Sequence, residues 1–237
     1  MSEYDAIADA YDDWARVGDD IPFYVEEARG TDLVVELGIG TGRIAVPIAQ
    51  TGIRVIGIDS SERMLELCRL RAREAAVADQ VEVRLGDFRQ PPVSERVRLV
   101  IAPFRSLSHL ETDADRIRTL AAVCRMLLPG GRFIFDVATP DPDQVRSSGI
   151  RTASDPGGLT EQAEWDWEKR EVRLSLTQNH EEGEAETRLR LSWLTREEWR
   201  AVIERAGLEV RACYGWFDRR PAVSGHYSIW IAHRAGV

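Results

Sequence analysis

Residues 32–42 read Asp32-Leu33-Val34-Val35-Glu36-Leu37-Gly38-Ile39-Gly40-Thr41-Gly42, a short apolar run with one acid in it that ends on three alternating glycines. A run of this length and character is a strand buried on both faces. Glycines let the backbone turn sharply and let a ligand approach it closely. Residues 43–50 then continue as a helix, with Pro47 tolerable only near its first turn. Strand, tight glycine turn and helix together are the opening unit of a parallel α/β sheet. The free amides of the helix point back at the turn and favour a negative or polar group there.

The same rhythm repeats downstream. Apolar runs at 53–58, 81–85, 97–102 and 132–137 are strands, and helices fall between them at Ser61–Ala76 and from Thr112 or Asp113 to about Leu128, where Pro129-Gly130-Gly131 stops the helix. Alternation of this kind implies right-handed crossovers and a mostly parallel sheet. Before it, residues 1–30 alternate aromatic and acidic positions and read as two short helices broken near Gly18 and Pro22. After Pro140 the pattern changes. Residues 141–158 read as a helix fragment plus loop, and alternating strands follow at 160–167, 171–180 and 184–193, with a charged turn at Glu181-Glu182-Gly183. Thr195-Arg196-Glu197-Glu198 is a capping box that opens a helix to about Ala206, and 208–214 with 227–233 form a closing pair of strands. The expected architecture is one α/β domain over 1–237, a seven-stranded, mostly parallel sheet with helices on both faces. A helical N-terminal segment over 1–30 and a small antiparallel insertion over 141–194 complete it.

Composition narrows the partners. The 237 residues carry a formal net charge of −9, with a pI near 5.1. Basic residues are mostly interleaved with acids, which argues against a nucleic-acid partner. No apolar run approaches the length of about 20 residues that spans a bilayer, and the acidic N-terminus lacks the basic and apolar regions of a secretory signal. Cys68, Cys124 and Cys213 are too scattered for a disulfide framework or a metal-ligand set. A cytoplasmic protein with free thiols, no metal and no membrane partner is the expectation.

Three polar features fall at the ends of the first three strands. The glycine turn lacks the G-x-G-x-x-G spacing of dinucleotide enzymes, which from Gly38 requires a small residue where Arg43 stands. Asp59 ends the second strand, placed to accept from ribose hydroxyls. Asp87-Phe88 follows the third, where a carboxylate can accept from an adenine amino group and a ring can line the base. Ligands bind at this edge of open parallel sheets.

With these motifs the chain resembles the class I S-adenosylmethionine-dependent methyltransferases. The resemblance covers residues 1–140 and rests on Val35–Gly42, Gly57-Ile58-Asp59-Ser60-Ser61-Glu62-Arg63-Met64, Gly86-Asp87-Phe88 and Leu127-Leu128-Pro129-Gly130-Gly131. It implies that S-adenosylmethionine is the cofactor and S-adenosylhomocysteine the product. It implies further that Glu36, Gly38, Gly40 and Gly42 face the methionine part, Asp59 the ribose, and Met64, Asp87 and Phe88 the base, with Ser60 also in the cofactor set. Pro103, after the fourth strand, joins this cofactor set. A Tyr-Asp-x-x-Ala-x-x-Tyr-Asp N-terminus folds over the cofactor in the family, which brings in Tyr11 beside Tyr4 and Trp14; the other reading of these rings is plain packing.

The segment Ala102-Pro103-Phe104-Arg105-Ser106-Leu107-Ser108-His109-Leu110 occupies the acceptor side. Its Ser-x-x-His-Leu ending is similar to glycine and sugar-amine N-methyltransferases, although the glycine enzymes carry asparagine where Arg105 stands. The Asn/Asp-Pro-Pro-Tyr/Phe motif of base-amino methylation is absent. His109 is a general base or the orienting group of the next helix. Arg105 is a fork for an acceptor carboxylate or phosphate, or a surface arginine. Trp165, Trp167 and Trp193 roof an acceptor pocket, build a homodimer interface or pack on the main sheet. The expected function is methyl transfer to nitrogen or oxygen of a small-molecule acceptor. The alternatives are a methyltransferase acting on RNA or protein, and a non-catalytic nucleotide-binding protein of the same fold.

Overall fold

The computed structural model describes residues 4–5, 8–9, 11–14, 18–138, 150–154, 159–180, 183–222 and 227–234. In chain order the elements are α1 (Tyr11–Trp14), α2 (Asp20–Ala28), β1 (Leu33–Leu37), α3 (Ala45–Ala49), β2 (Arg54–Asp59), α4 (Glu62–Glu74), β3 (Val81–Leu85) and β4 (Val97–Ala102). They continue with α5 (Asp113–Met126), β5 (Leu127–Ala138), β6 (Ile150–Ser154), β7 (Leu159–Asp166), β8 (Glu171–His180), β9 (Gly183–Ser192), α6 (Arg196–Arg205), β10 (Leu208–Tyr214) and β11 (Tyr227–Arg234).

The main sheet has seven strands in the order β10-β11-β5-β4-β1-β2-β3. β1 to β5 are mutually parallel, and β11 runs antiparallel to both β5 and β10. Strand alternation divides the core in two. Val35, Leu37, Ile58, Phe133 and Phe135 face α5 and α6 and pack with Val123, Trp199 and Ile203. Val34, Val55, Ile101 and Ile134 face the other way, onto Phe23, Tyr24, Ile48 and Leu65 from α2, α3 and α4. Helices therefore cover both faces, as the apolar runs require.

Local signals set the boundaries. Ser61 caps α4 by accepting from the Met64 amide at 3.1 Å, and Thr112 caps α5 by accepting from the Asp115 amide at 3.1 Å. The capping box before α6 is reciprocal between Thr195 and Glu198. The Leu127–Gly131 segment differs from expectation. The helix ends at Met126, and Leu127 already pairs with Val97, while Arg132 pairs with Leu99. Residues 128–131 thus stand opposite Arg98 alone, three residues more than the ladder needs, and bulge out of it, where Gly130 takes φ +71°.

The insertion is a separate antiparallel sheet of order β6-β7-β8-β9. It has one strand more than the alternation beyond Thr160 revealed, because β6 lies in the stretch read as loop. The rest of that stretch, with the helix fragment expected in it, lies outside the described residues, as do Glu181 and Glu182 of the expected turn. One face carries Ala163, Val172, Leu174, Leu176, Leu189 and Leu191, with Tyr4, Tyr11 and Trp165 packed against it. Trp167 lies past the end of β7 and pairs with Trp193, ring centroids 4.6 Å apart.

Candidate active site

Parallel topology places a crevice where neighbouring crossovers leave a sheet in opposite directions, at the carboxyl ends of β1 and β4. A cleft of about 440 Å³ lies there, lined by Gly38, Gly40, Asp59, Ser60, Met64, Gly86, Asp87, Phe88 and Arg89 on one side. Tyr4, Tyr11, Phe104, Ser106, His109 and Leu110 line the other.

The first wall is built on the glycine turn. Gly38 has φ +72°, and a Cβ there would sit 2.6 Å from Ser106 Oγ, so the turn and the post-β4 segment touch through this glycine. Gly40 has φ +54° and open space where its Cβ would be, apart from Tyr11 at 3.9 Å. Asp59 fastens the turn from the next strand, accepting from the Gly40 amide (2.9 Å) through Oδ2 and from the Ser61 amide (2.9 Å) through Oδ1. Burial raises the Asp59 carboxyl, and those amides oppose the rise. Asp87 is more open. Partial burial alone would raise its carboxyl, but hydrogen bonds from Arg89 hold it below the usual range. Glu36 is buried behind the turn, its carboxyl pushed well up by burial against the opposing charge of Arg43, and its Oε2 has no hydrogen-bond partner.

The second wall is a run of rings in edge contact. Phe104 meets Tyr11 at 6.1 Å, Tyr11 meets Tyr4 at 5.7 Å, and Tyr4 meets His109 at 5.4 Å between centroids. Tyr4 Oη and His109 Nε2 share a hydrogen bond of 2.8 Å, whose direction follows the imidazole tautomer. Burial, aided by the charge of Arg105, pushes His109 down to about 4, so it is neutral at physiological pH. Arg43 and Arg105 place their guanidinium carbons 5.3 and 4.8 Å from the Phe104 ring centroid.

Three acids of the N-terminal segment are tied to the glycine turn and α4. Asp5 accepts from Ser61 Oγ (2.5 Å), Asp9 from Arg63 (2.6 Å), and Asp12 from Thr41 Oγ1 (2.6 Å) and from Arg71. The Trp14 side chain lies outside the described residues.

Of the residues singled out in the sequence, Tyr11, Gly38, Gly40, Asp59, Ser60, Met64, Asp87, Phe88 and His109 come together on the cleft. Glu36, Gly42, Pro103 and Arg105 stand behind it. Gly42 faces inward, where a Cβ would lie 2.7 Å from Cys68 Sγ, and Pro103 offers its carbonyl to Ser106 Oγ at 2.6 Å. Sequence reasoning missed two residues. Arg43, noted only for breaking a fingerprint, grips the buried Asp20 of α2 through two bonds of 2.8 and 2.5 Å. Asp136 sits fully buried in β5, and its signal was an acid amid Phe133-Ile134-Phe135 and Val137.

The sequence profile of a methyltransferase domain matches residues 34–131. The CcbJ methyltransferase from Streptomyces caelestis superposes with a TM-score of 0.86 at 27% identity, over 100% of this chain and 99% of that one. The cypemycin N-terminal methyltransferase of a Streptomyces species is 26% identical over 79% of this chain and 77% of its own length. An uncharacterized methyltransferase of Geobacillus kaustophilus is 30% identical over 61% of this chain, which spans 66% of that protein. The chain carries a methyltransferase domain over residues 34–131 and shares the fold of these methyltransferases. The cleft has features that fit S-adenosylmethionine, the cofactor the sequence motifs imply: an open glycine cradle, an acid at the end of β2, and the Met64 thioether and Phe88 ring beyond it.

Proposed function

We propose that this chain methylates a nitrogen of a small-molecule amine. The observation that carries the reading is His109, neutral and hydrogen-bonded to Tyr4 on the wall opposite the glycine turn. With its proton affinity lowered this far, His109 is a poor general base for a hydroxyl acceptor. A neutral amine already presents its lone pair and needs orientation more than a base. A relative named for methylating the N-terminus of cypemycin supports nitrogen as the acceptor atom.

The bound cofactor supplies an electrophilic methyl group on a sulfonium. The chain supplies the rest. In this reading Gly38 and Gly40 admit the methionine part, with Glu36 and Gly42 shaping the turn from behind. Asp59 and Ser60 take the ribose hydroxyls, and Met64, Asp87 and Phe88 take the base. Tyr4 and His109 orient the acceptor nitrogen, and Arg105 and Pro103 support that wall. Residues 1–30 act as the lid and the insertion within 141–194 as its roof, because Tyr4 and Tyr11 line the cleft and also pack against the inserted sheet. Closing them excludes water from the reacting atoms.

The test is S-adenosylhomocysteine release with a panel of amino sugars, amino acids and short peptides, each beside its hydroxyl counterpart. Turnover with amines and none with the matched alcohols is the expected result. Turnover confined to hydroxyl acceptors overturns the reading.

A further inference from the structure

Phe104 and Arg105 are consecutive non-glycine residues with φ of +51° and +61°. The left-handed region is costly for residues with a Cβ, so two in a row persist only where the surroundings hold them. The hold is visible. Asp136 Oδ1 accepts from the Phe104 amide (2.9 Å) and Oδ2 from the Arg105 amide (3.1 Å). The same two oxygens accept from phenols on two other elements, Tyr24 Oη of α2 onto Oδ1 (2.6 Å) and Tyr227 Oη of β11 onto Oδ2. Asp136 is fully buried, and every bond to it comes from a donor. A buried carboxylate met by four donors is fixed in place and fixes its partners.

The kinked pair starts the turn that carries Ser106, His109 and Leu110 into the cleft. Its far end is pinned separately, because Ser192 Oγ lies 3.1 Å from the Ser108 carbonyl and 2.7 Å from that of Leu110. We propose that Asp136 is a positioning residue for methyl transfer, holding the Phe104–Arg105 kink so that His109 and the Phe104 ring form the acceptor wall. Tyr24 and Tyr227 keep its two oxygens aimed at the two amides. Asp136 is not among the residues lining the cleft and acts through the turn. The inference rests on reading that wall as the acceptor side.

Asp136→Asn keeps the shape but presents an NH₂ where a donor must be met, so one backbone amide loses its acceptor. The readout is the titration of His109, followed by NMR on protein with labelled histidine and assigned with His109→Gln. Tyr4 and Arg105 are the titratable neighbours of that imidazole and stay in place in every variant. In the unaltered protein the expected midpoint is about 4. In Asp136→Asn the turn loosens, His109 gains water, and the midpoint rises by about one unit or more toward 6.5. The dissociation constant for S-adenosylhomocysteine, bound on the opposite wall, changes by less than about threefold.

A folded Asp136→Asn with an unmoved His109 midpoint overturns the proposal. So does a loss of S-adenosylhomocysteine affinity well beyond about threefold, which marks a general structural role. If Asp136→Asn does not fold, Tyr24→Phe combined with Tyr227→Phe removes both phenol donors and leaves the carboxylate. An upward shift of His109 in that variant supports the proposal, and no shift overturns it. Failure of the unaltered protein to bind S-adenosylhomocysteine refutes the proposed function instead.

Discussion

Single atoms decide much of the first wall. Gly57 of β2 has ordinary backbone angles, yet a Cβ there would lie 1.9 Å from Ile39 Cδ1, because the glycine turn folds its isoleucine onto that strand. Gly57→Ala is therefore overpacked and should cost about 1–3 kcal/mol, read as a fall in Tm of roughly 2–12 °C for a chain of this size. Ile39→Ala in the same chain opens the space and should recover part of the loss relative to the two single variants summed; strict additivity would show that the two side chains do not compete. Asp59 acts differently, since its oxygens hold the Gly40 and Ser61 amides while its position faces the cleft. Asp59→Ala removes charge-assisted hydrogen bonds worth about 1.5–3 kcal/mol, so affinity for S-adenosylhomocysteine should fall by roughly 10- to 150-fold in calorimetry. An unchanged affinity would remove Asp59 from the cofactor site.

At the scale of elements, legibility in the sequence followed the range of the forces. β3 and β4 had the bounds their apolar runs gave, and Ser61, Thr112 and Thr195 announced their helices, because strand burial and capping are set within a few residues. The bulge at 128–131 was hidden because it is defined by pairing with Val97 and Leu99 on another strand. The Asp136 cluster was hidden for the same reason, since Tyr24 and Tyr227 are 112 and 91 residues away along the chain. The N-terminal strap sits between these cases. Its aromatics and acids stood out in the sequence, but which acid meets which partner is tertiary information. Asp9 and Arg63 are both largely exposed, so that pair contributes little, whereas Asp12 with Arg71 is only about a third exposed. If the strap is the lid, its latch weakens as the screening length shrinks from about 10 Å at 0.1 M salt to 3 Å at 1 M. The dissociation rate of S-adenosylhomocysteine should then rise about fivefold across that range in stopped-flow fluorescence, equivalent to a latch of about 1 kcal/mol. Asp12→Asn should flatten the dependence, and a salt-independent rate would leave the strap without a latching role.

At the scale of the molecule, the described residues form two large cores, one on each face of the main sheet, and a third, much smaller one under the inserted sheet. The third core is completed by Tyr4 and Tyr11, which also line the cleft, so the inserted sheet borrows part of its buried surface from the wall of the site. It is fastened to the main body by Ser192, which accepts from the buried Arg116 (2.6 Å), and by ion pairs from Arg190 to Glu111 and Arg170 to Glu198. A sheet with so small a core of its own should open at lower cost than the parallel strands, and amides of β7–β9 should exchange with solvent faster than those of β1, β4 and β5. Occupancy of the cleft changes that balance if opening the inserted sheet also withdraws Tyr4 and Tyr11. A ligand at 100 times its dissociation constant stabilises the bound form by about 2.7 kcal/mol, so any opening that must release it slows by roughly 100-fold. Saturating S-adenosylhomocysteine should therefore slow exchange in β7–β9 by at least about tenfold, although the residues expected to hold it lie on loops of the main sheet. Hydrogen exchange with and without the ligand separates the two outcomes. Slowing confined to β1 and β2 would mean that the inserted sheet opens without disturbing the site, whereas slowing in β7–β9 would show roof and cofactor wall to be one cooperative unit joined through two tyrosines.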